Sequence, residues 1–480
     1  MQNKAPQNSA ARKFLSNPAR QAFGKAEPKQ GMPSADSRSP KNFSEASPSR
    51  KAADAGKSPA DNGAGKRSAP LRASAYTGPT SADVLILGAG AAGLMCARQA
   101  AASGLSVVLL ERGPVPGRKL AVSGGGKANF TNRSVTPHDY RCEGSRGNAF
   151  CAPGLKGFTP EHMLRLVDGW NLPFEERSHG QLFLTVPAQR MVRALVDDCR
   201  KNGCHIACNT AVTEVEAQPD GFSVHTEGGT WRGKALVLAL GSPAWPQAGG
   251  SGAGFRLAAE LGHSVIPPRA ALAPLKLADS SPLLSLTGIS LPVRVSLGQH
   301  QWQDDLLFTH DGLSGPAALK ASLYWSQGMP LTIDFLPELN VAALLDDPQT
   351  GKQTPRALLA RHLPQRLVDA LLPQAWARRK VAELSRAARL AMVEAVQKHS
   401  LTPAATAGLK KAEACSGGVN TDEVDPKTMR SRVRENLFVV GELLDVTGLL
   451  GGYNLHWAWA SGVAAGRELA RHLAGTRASR

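Results

Sequence analysis

The chain is short of aromatic residues, with 13 Phe, 8 Trp and 4 Tyr among 480. It has no run of about 18 uninterrupted apolar residues, so a membrane-spanning helix and a membrane partner are not expected. No apolar signal segment of the secretory type is present, which argues against export. The seven cysteines (Cys96, Cys142, Cys151, Cys199, Cys204, Cys208 and Cys415) are odd in number and include no C-x-x-C. Reduced thiols and a cytoplasmic setting follow. Cys199, Cys204 and Cys208 lie close together, but their spacing fits no zinc pattern, so packing is the reading and no metal is expected. The 48 glycines and 33 prolines follow no G-X-Y period, which excludes a collagen-like fibre.

Acidic residues are the other shortage, 39 against 56 Lys and Arg, and the excess is uneven. Residues 1–80 hold 14 basic and 5 acidic residues, leaving 42 and 34 for the other 400. This first stretch is rich in Ser, Ala, Pro, Gly and Lys and nearly free of aliphatic residues. It cannot bury enough apolar surface to offset its ordering entropy, so 1–80 reads as a disordered basic tail. A transit peptide or nucleic-acid arm would share that composition.

The structured region opens with SADVLILGAGAAGLMCARQAAASGLSVVLLER, a strand, glycine turn, helix and second strand. Gly88, Gly90 and Gly93 form G-x-G-x-x-G directly after the strand, and Ala91 and Ala92 open the helix. The first glycine allows the tight turn, and the second lets a pyrophosphate approach the backbone. The third lets helix and strand pack closely, and the helix N-terminus offers unpaired N–H groups to the phosphates. Glu111 ends the second strand 23 residues after Gly88, placed to accept hydrogen bonds from a ribose. Dinucleotide binding follows from strand, glycines, helix and acid in register.

Next comes RGPVPGRKLAVSGGGKANFTN, a long loop with Arg112, Lys119, the cluster Ser123, Gly124, Gly125 and Gly126, and Asn129. A plain nicotinamide dehydrogenase would return at once to helix and strand. This loop suits the close approach of an extended cofactor with an isoalloxazine ring, so FAD is expected. The strand KALVLAL ends at a turn containing Gly241, with Gly249, Gly250, Gly252 and Gly254 beyond it. Those glycines lie too far from the strand, with no acid-terminated strand after them, for a second nucleotide fingerprint. Near the C-terminus a strand ends at Gly441, followed by Glu442, Asp445, a Gly451-Gly452 turn and a helix carrying Tyr453, Asn454 and His456. In glutathione-reductase-like flavoproteins such an acid serves the ribityl or pyrophosphate end, and the helix points its N-terminus at the flavin pyrimidine edge. His456 reads as a packing group rather than a proton donor, and no catalytic residue is assigned. FTHDGLSGPAAL offers Ser, His and Asp without a G-x-S-x-G elbow, so it reads as a tight loop facing the flavin.

Together GAGAAGLMCA, GRKLAVSGGGKANFTN, HGQLF, FTHDGLSGPAAL, CSGGVNTDEVDPKTM and GELLDVTGLLGGYNLHWAWASG resemble the HI0933-like (YhiN/BaiN) flavoprotein family, which includes aminoacetone oxidases. The resemblance covers residues 81–475, departing where the usual SGGGRCN reads SGGGKAN, with Lys127 and Ala128. It implies an α/β protein: a Rossmann-like, glutathione-reductase-like FAD-binding domain with an inserted β domain and a small helical domain. The expected boundaries are 81–266 for the first part of the FAD domain, 267–340 for the β domain and 341–406 for the helical domain. Residues 407–480 would hold the return strand and the rest of the FAD domain. The expected activity is FAD-dependent oxidoreduction by hydride transfer at flavin N5 on a small-molecule substrate, with NAD(P)H as transient electron donor. An H2O2-producing amino-ketone oxidase, a flavin-dependent tRNA-modifying protein and a non-catalytic flavin sensor are the alternatives. The basic helices of 341–406 read as a solvated face, so no nucleic-acid partner is expected.

Overall fold

The computed structural model describes residues 76–478, and the tail reading of 1–80 falls almost wholly outside them. Strand β1 (Ser81–Leu87) is buried from its second residue onward, as a central strand covered on both faces must be. It feeds helix α1 (Ala91–Ala101), which returns to strand β2 (Val107–Leu110). Strand β3 (His205–Ala207) extends the parallel sheet beyond β2. Strands β4 (Val212–Gln218), β5 (Gly221–Thr226) and β6 (Gly229–Leu238) form an antiparallel meander, and β6 also pairs in parallel with β1. Strand β7 (Leu437–Val439) joins the end of β6 from 200 residues later in the chain, also in parallel. Nucleotide ligands bind at the carboxyl ends of such strands, and the glycine turn after β1 lies there.

Helix α2 (Tyr453–Ala478) lies along α1. A Cβ built on Gly462 would come 2.5 Å from the Ala92 carbonyl oxygen, and one on Gly466 2.7 Å from Gln99 Cβ. Glycines four apart in the chain let the two backbones approach. The contact clamps the C-terminal segment onto the helix whose N-terminus opens the nucleotide site.

A second, antiparallel sheet has its own core. Its order is Leu331–Asp334, Ser290–Leu297, His300–Thr309, Gly312–Ser314, then Leu275–Lys276. In Ser290–Leu297 every second residue is buried (Leu291, Val293, Val295, Leu297), the period of a sheet with one covered face. Helices between Val341 and Gln397 cover that face, and Leu358, Leu367 and Met392 share the core with the sheet. His399–Leu401 and Ala405–Thr406, inside the range expected to be helical, are strands that close the two edges of this sheet. Such two- and three-residue strands are too short to carry a period in sequence. FTHDGLSGPAAL forms the hairpin between His300–Thr309 and Gly312–Ser314 and the start of helix Gly315–Tyr324. Its Phe308, Leu313 and Ala317 lie in the second core. Strands Val265–Ala271 and Ala414–Val419, paired antiparallel, carry the chain between the two sheets.

Candidate active site

The three fingerprint glycines differ in what surrounds them. Gly88 has φ +103°, and a Cβ there would meet the Ala239 carbonyl oxygen at 2.5 Å. On Gly93 a Cβ would overlap the Gly88 carbonyl oxygen, so helix and turn can touch only without it. Around Gly90 no atom lies within 4 Å of that position. Two glycines are therefore held by protein, and the middle one opens onto space at the N-terminus of α1.

Glu111 closes the turn from the side. One carboxylate oxygen accepts the Ala89 N–H at 2.9 Å and the other the Gly113 N–H at 2.7 Å. The carboxylate is half-buried, and each oxygen keeps a lone pair for a further donor. Arg112 turns away from this acid and donates to the Gly249 carbonyl at 2.8 Å, tying down the distant glycine segment.

Part of the stretch expected as loop is helical. Arg118 begins a short helix that breaks at Ser123, after which Gly124, Gly125 and Gly126 all have positive φ (55°, 66° and 83°). Three successive left-handed residues are open only to glycine without strain, and they re-aim the chain into Asn129–Asn132. No atom lies within 4 Å of a Cβ on Gly125, Gly126 or Gly241. The Ser123 hydroxyl donates to the Leu120 carbonyl and so secures the helix end. Lys119 forms a 2.7 Å ion pair with Glu442, whose other oxygen accepts the Cys415 N–H at 3.2 Å.

The start of α2 is built by contacts from several elements. Asn132 Nδ2 donates to the carbonyls of Gly451 and His179, both at 3.0 Å. The Asn129 amide sits beside Gln181, and with its oxygen turned to Gly452 it accepts that N–H at 3.1 Å. A Cβ on Gly451 would lie 3.3 Å from Gln181 Cγ. Local sequence pattern assigns no role to Gln181 or Asn132. HGQLF is visible as a motif, but only the fold brings its glutamine to the helix start. Asn454 is committed to its own turn, accepting from the Gly448 N–H at 2.8 Å and donating to the Gly448 carbonyl at 3.0 Å. The Tyr453 carbonyl accepts the Tyr140 hydroxyl at 3.0 Å, and burial raises the Tyr453 phenol to about 12. Asp445 is buried and accepts the Glu143 and Gly417 N–H groups at 2.6 and 3.0 Å, with burial raising its pKa. Gly441 donates its N–H to the Ser461 hydroxyl and packs against Ala92, joining the β7 turn to α1 and α2.

His456 is fully buried between the Thr131 hydroxyl (2.8 Å) and the Phe158 carbonyl (3.0 Å). Burial pushes its pKa down to about 4. The ring is neutral at neutral pH, donating from Nε2 and accepting at Nδ1, which is a structural role. Trp457 and Trp459 are likewise buried, donating to the Gly441 and Phe130 carbonyls.

Glycine turn, Glu111, Lys119–Glu442, the open glycines and the α2 start thus form one connected wall. An extended dinucleotide fits it. Cβ-free backbone faces open space at Gly90, Gly125, Gly126 and Gly241, two helix N-termini frame it, and the Glu111 carboxylate keeps lone pairs for further donors. Two cavities of about 500 and 420 Å³ flank Arg141, the smaller lined also by Arg269, Ser322, Trp325 and Ser416. That is the size range of small-ligand sites. Among the described residues no helix is long and apolar enough to cross a membrane.

The family model for the HI0933-like protein Rossmann domain matches residues 82–468. The ribosomal RNA dihydrouridine synthase of Escherichia coli is 36% identical, over 81% of this chain and 98% of its own length. The enzyme of the same name from Haemophilus influenzae is 37% identical, with the same coverage. The 3-dehydro-bile acid Δ(4,6)-reductase of Clostridium scindens is 30% identical, over 80% of this chain and 98% of its own length. The expectation against a nucleic-acid partner draws no support from relatives two of which are named for RNA. With the fold, the nucleotide cradle and these matches agreeing, the chain belongs to the HI0933-like family and is an FAD-dependent oxidoreductase.

Proposed function

We propose that this protein is an FAD-dependent reductase of a carbon–carbon double bond conjugated to a carbonyl, acting on a uridine of ribosomal RNA. NAD(P)H would be the electron donor. The observation that carries the reading is the 36% identity to the E. coli enzyme across 98% of its length. Reducing uracil to dihydrouracil adds a hydride to one carbon of the 5,6 double bond and a proton to the other. Bound FAD supplies the two-electron exchange between nicotinamide and substrate.

The chain's own residues bind and orient. The Gly90 gap and the α1 N-terminus would hold the pyrophosphate, and Glu111, fixed by two backbone N–H groups, would hold the adenosine ribose. Lys119, paired with Glu442, keeps a positive charge beside the cradle. The N-terminus of α2, positioned by Asn129 and Asn132, would turn its positive dipole end toward the pyrimidine edge of a bound ring and favour negative charge there. The cavity beside Arg141 and Arg269 would receive the base, with Ser322, Trp325 and Ser416 around it.

Purified protein is given NADH or NADPH without air, and flavin bleaching identifies the donor. Ribosomal RNA lacking dihydrouridine is then added and its nucleosides are weighed. A gain of two mass units at one uridine is the expected result, and no gain with a bleached, competent flavin would sink the RNA reading. A small dienone substrate is the second reading, favoured by the C. scindens relative. Turnover of such a ketone with RNA left unchanged would establish it.

A further inference from the structure

Outside the cradle loop, the largest excess of basic charge in the folded part of the chain lies in its helical segment. Residues 81–480 carry 42 basic and 34 acidic residues, an excess of eight. Residues 352–398 alone hold ten basic residues and only Asp369, Glu383 and Glu394 as acids, an excess of seven. The rest of 81–480 sums to an excess of one, although the cradle loop 112–138 is itself basic, with five Lys and Arg and no acid. A face that is merely solvated mixes both signs, whereas this one accumulates self-repulsion unless something anionic covers it.

Two of these three acids are already engaged, and Asp346, just before the segment, pairs with Arg389. Asp369 takes Arg356 in a two-pronged pair, and the Glu383 carboxylate accepts the Lys380 backbone N–H. Lys352, Arg361, Arg378, Arg379 and Arg386 are exposed, and none forms an ion pair among the described residues. The fold gathers most of them. The Val381 and Ala382 N–H groups donate to the Gln353 and Gly351 carbonyls at 2.9 and 3.1 Å, setting Lys352 beside Arg378–Lys380. Arg389, one turn from Arg386 on helix Arg386–Gln397, donates to the Val381 carbonyl at 3.2 Å. The segment's apolar residues belong to the second core, not to that of the nucleotide domain. Its cations are thus carried by a different core from the one that carries the cradle.

We propose that this basic face of the helical segment, carried by Lys352, Arg361, Arg378, Arg379, Lys380 and Arg386, docks the phosphate backbone of the substrate RNA. The proposal rests on the RNA reading above and adds where the polymer is gripped. Phosphate contacts position a nucleic acid without reading its sequence, which suits an enzyme whose reaction needs only one base to enter a cavity.

The test uses full-length, flavin-loaded protein, a fluorescently labelled ribosomal RNA fragment and the variant Arg361→Gln/Arg378→Gln/Arg379→Gln/Arg386→Gln. The expected result is RNA affinity reduced about tenfold to hundredfold near 0.1 M salt. The slope of log affinity against log salt should fall by about 2 to 3, because each phosphate neutralised on single-stranded RNA adds roughly 0.7 to it. The flavin spectrum, melting temperature and NAD(P)H bleaching rate should stay as in the parent. A variant that binds RNA with unchanged affinity and slope overturns the docking face. The RNA reading survives that result as long as the parent still converts uridine. A parent protein that ignores RNA but floats with phosphatidylglycerol vesicles overturns both, and assigns the face to a membrane surface.

Discussion

Lys119 and Glu442, 323 residues apart in the chain, meet at 2.7 Å across the cofactor wall. Glu442 also accepts the Cys415 N–H, so one side chain joins the first basic loop, the return strand and the β7 turn. Both side chains are partly exposed, so the charge pairing is worth about 1 kcal/mol. Glu442→Gln should lose that much, and Glu442→Ala, which also frees the Cys415 N–H, about 2 kcal/mol. Urea unfolding of flavin-free protein measures both, and equal losses would mean the Cys415 contact contributes nothing.

Gly90→Ala and Gly93→Ala should fail differently. The added methyl at Gly90 enters the open cradle, so flavin-free protein should melt as the parent does while flavin retention drops at least about tenfold. At Gly93 the methyl overlaps the Gly88 carbonyl, and forcing helix from turn should cost about 1–3 kcal/mol even without flavin. Melting of the flavin-free forms and the ratio of flavin to protein absorbance separate the two.

Glu111→Ala removes the acceptor for the Ala89 and Gly113 N–H groups. Stability should fall by about 1–3 kcal/mol, with FAD bound about tenfold more weakly. Undiminished FAD affinity in a titration would take Glu111 out of the cofactor site.

His456 sets an acid limit on stability. Its folded pKa, pushed down by burial to about 4, lies below the roughly 6.5 of an unfolded histidine. Above pH 6.5 neither state binds the proton and nothing is lost. Between about 6.5 and 4 only the unfolded chain takes it up, so stability falls with pH, by about 3 kcal/mol at the lower end. His456→Gln should start less stable but show a flatter decline over that window in urea melts. Its turnover should keep the parent's pH profile, since a buried neutral ring donates no proton to substrate.

Much of the nucleotide half could be read without coordinates because its signals are local. Gly88, Gly90, Gly93 and Glu111 lie within 24 residues, and the physics of a βαβ turn requires each at its place. The left-handed run Gly124–Gly126 announced itself by composition, although not the helix turn that precedes it. Other relationships exist only after folding. Gln181 and Asn132 reach the α2 start through contacts with Gly451, about 270 and 320 positions later, which no local pattern encodes. Asn454 and His456 share a segment with the Gly451–Gly452 turn, yet packing commits both to backbone and side-chain partners inside the protein. The short strands at 399–406 became strands because a waiting sheet edge paired their N–H and C=O groups. Sequence alone determined where a dinucleotide could lie, because a tight turn and close approach depend on residues a few positions apart. Tertiary structure decided which side chains remain free to meet it, because that depends on partners hundreds of residues away.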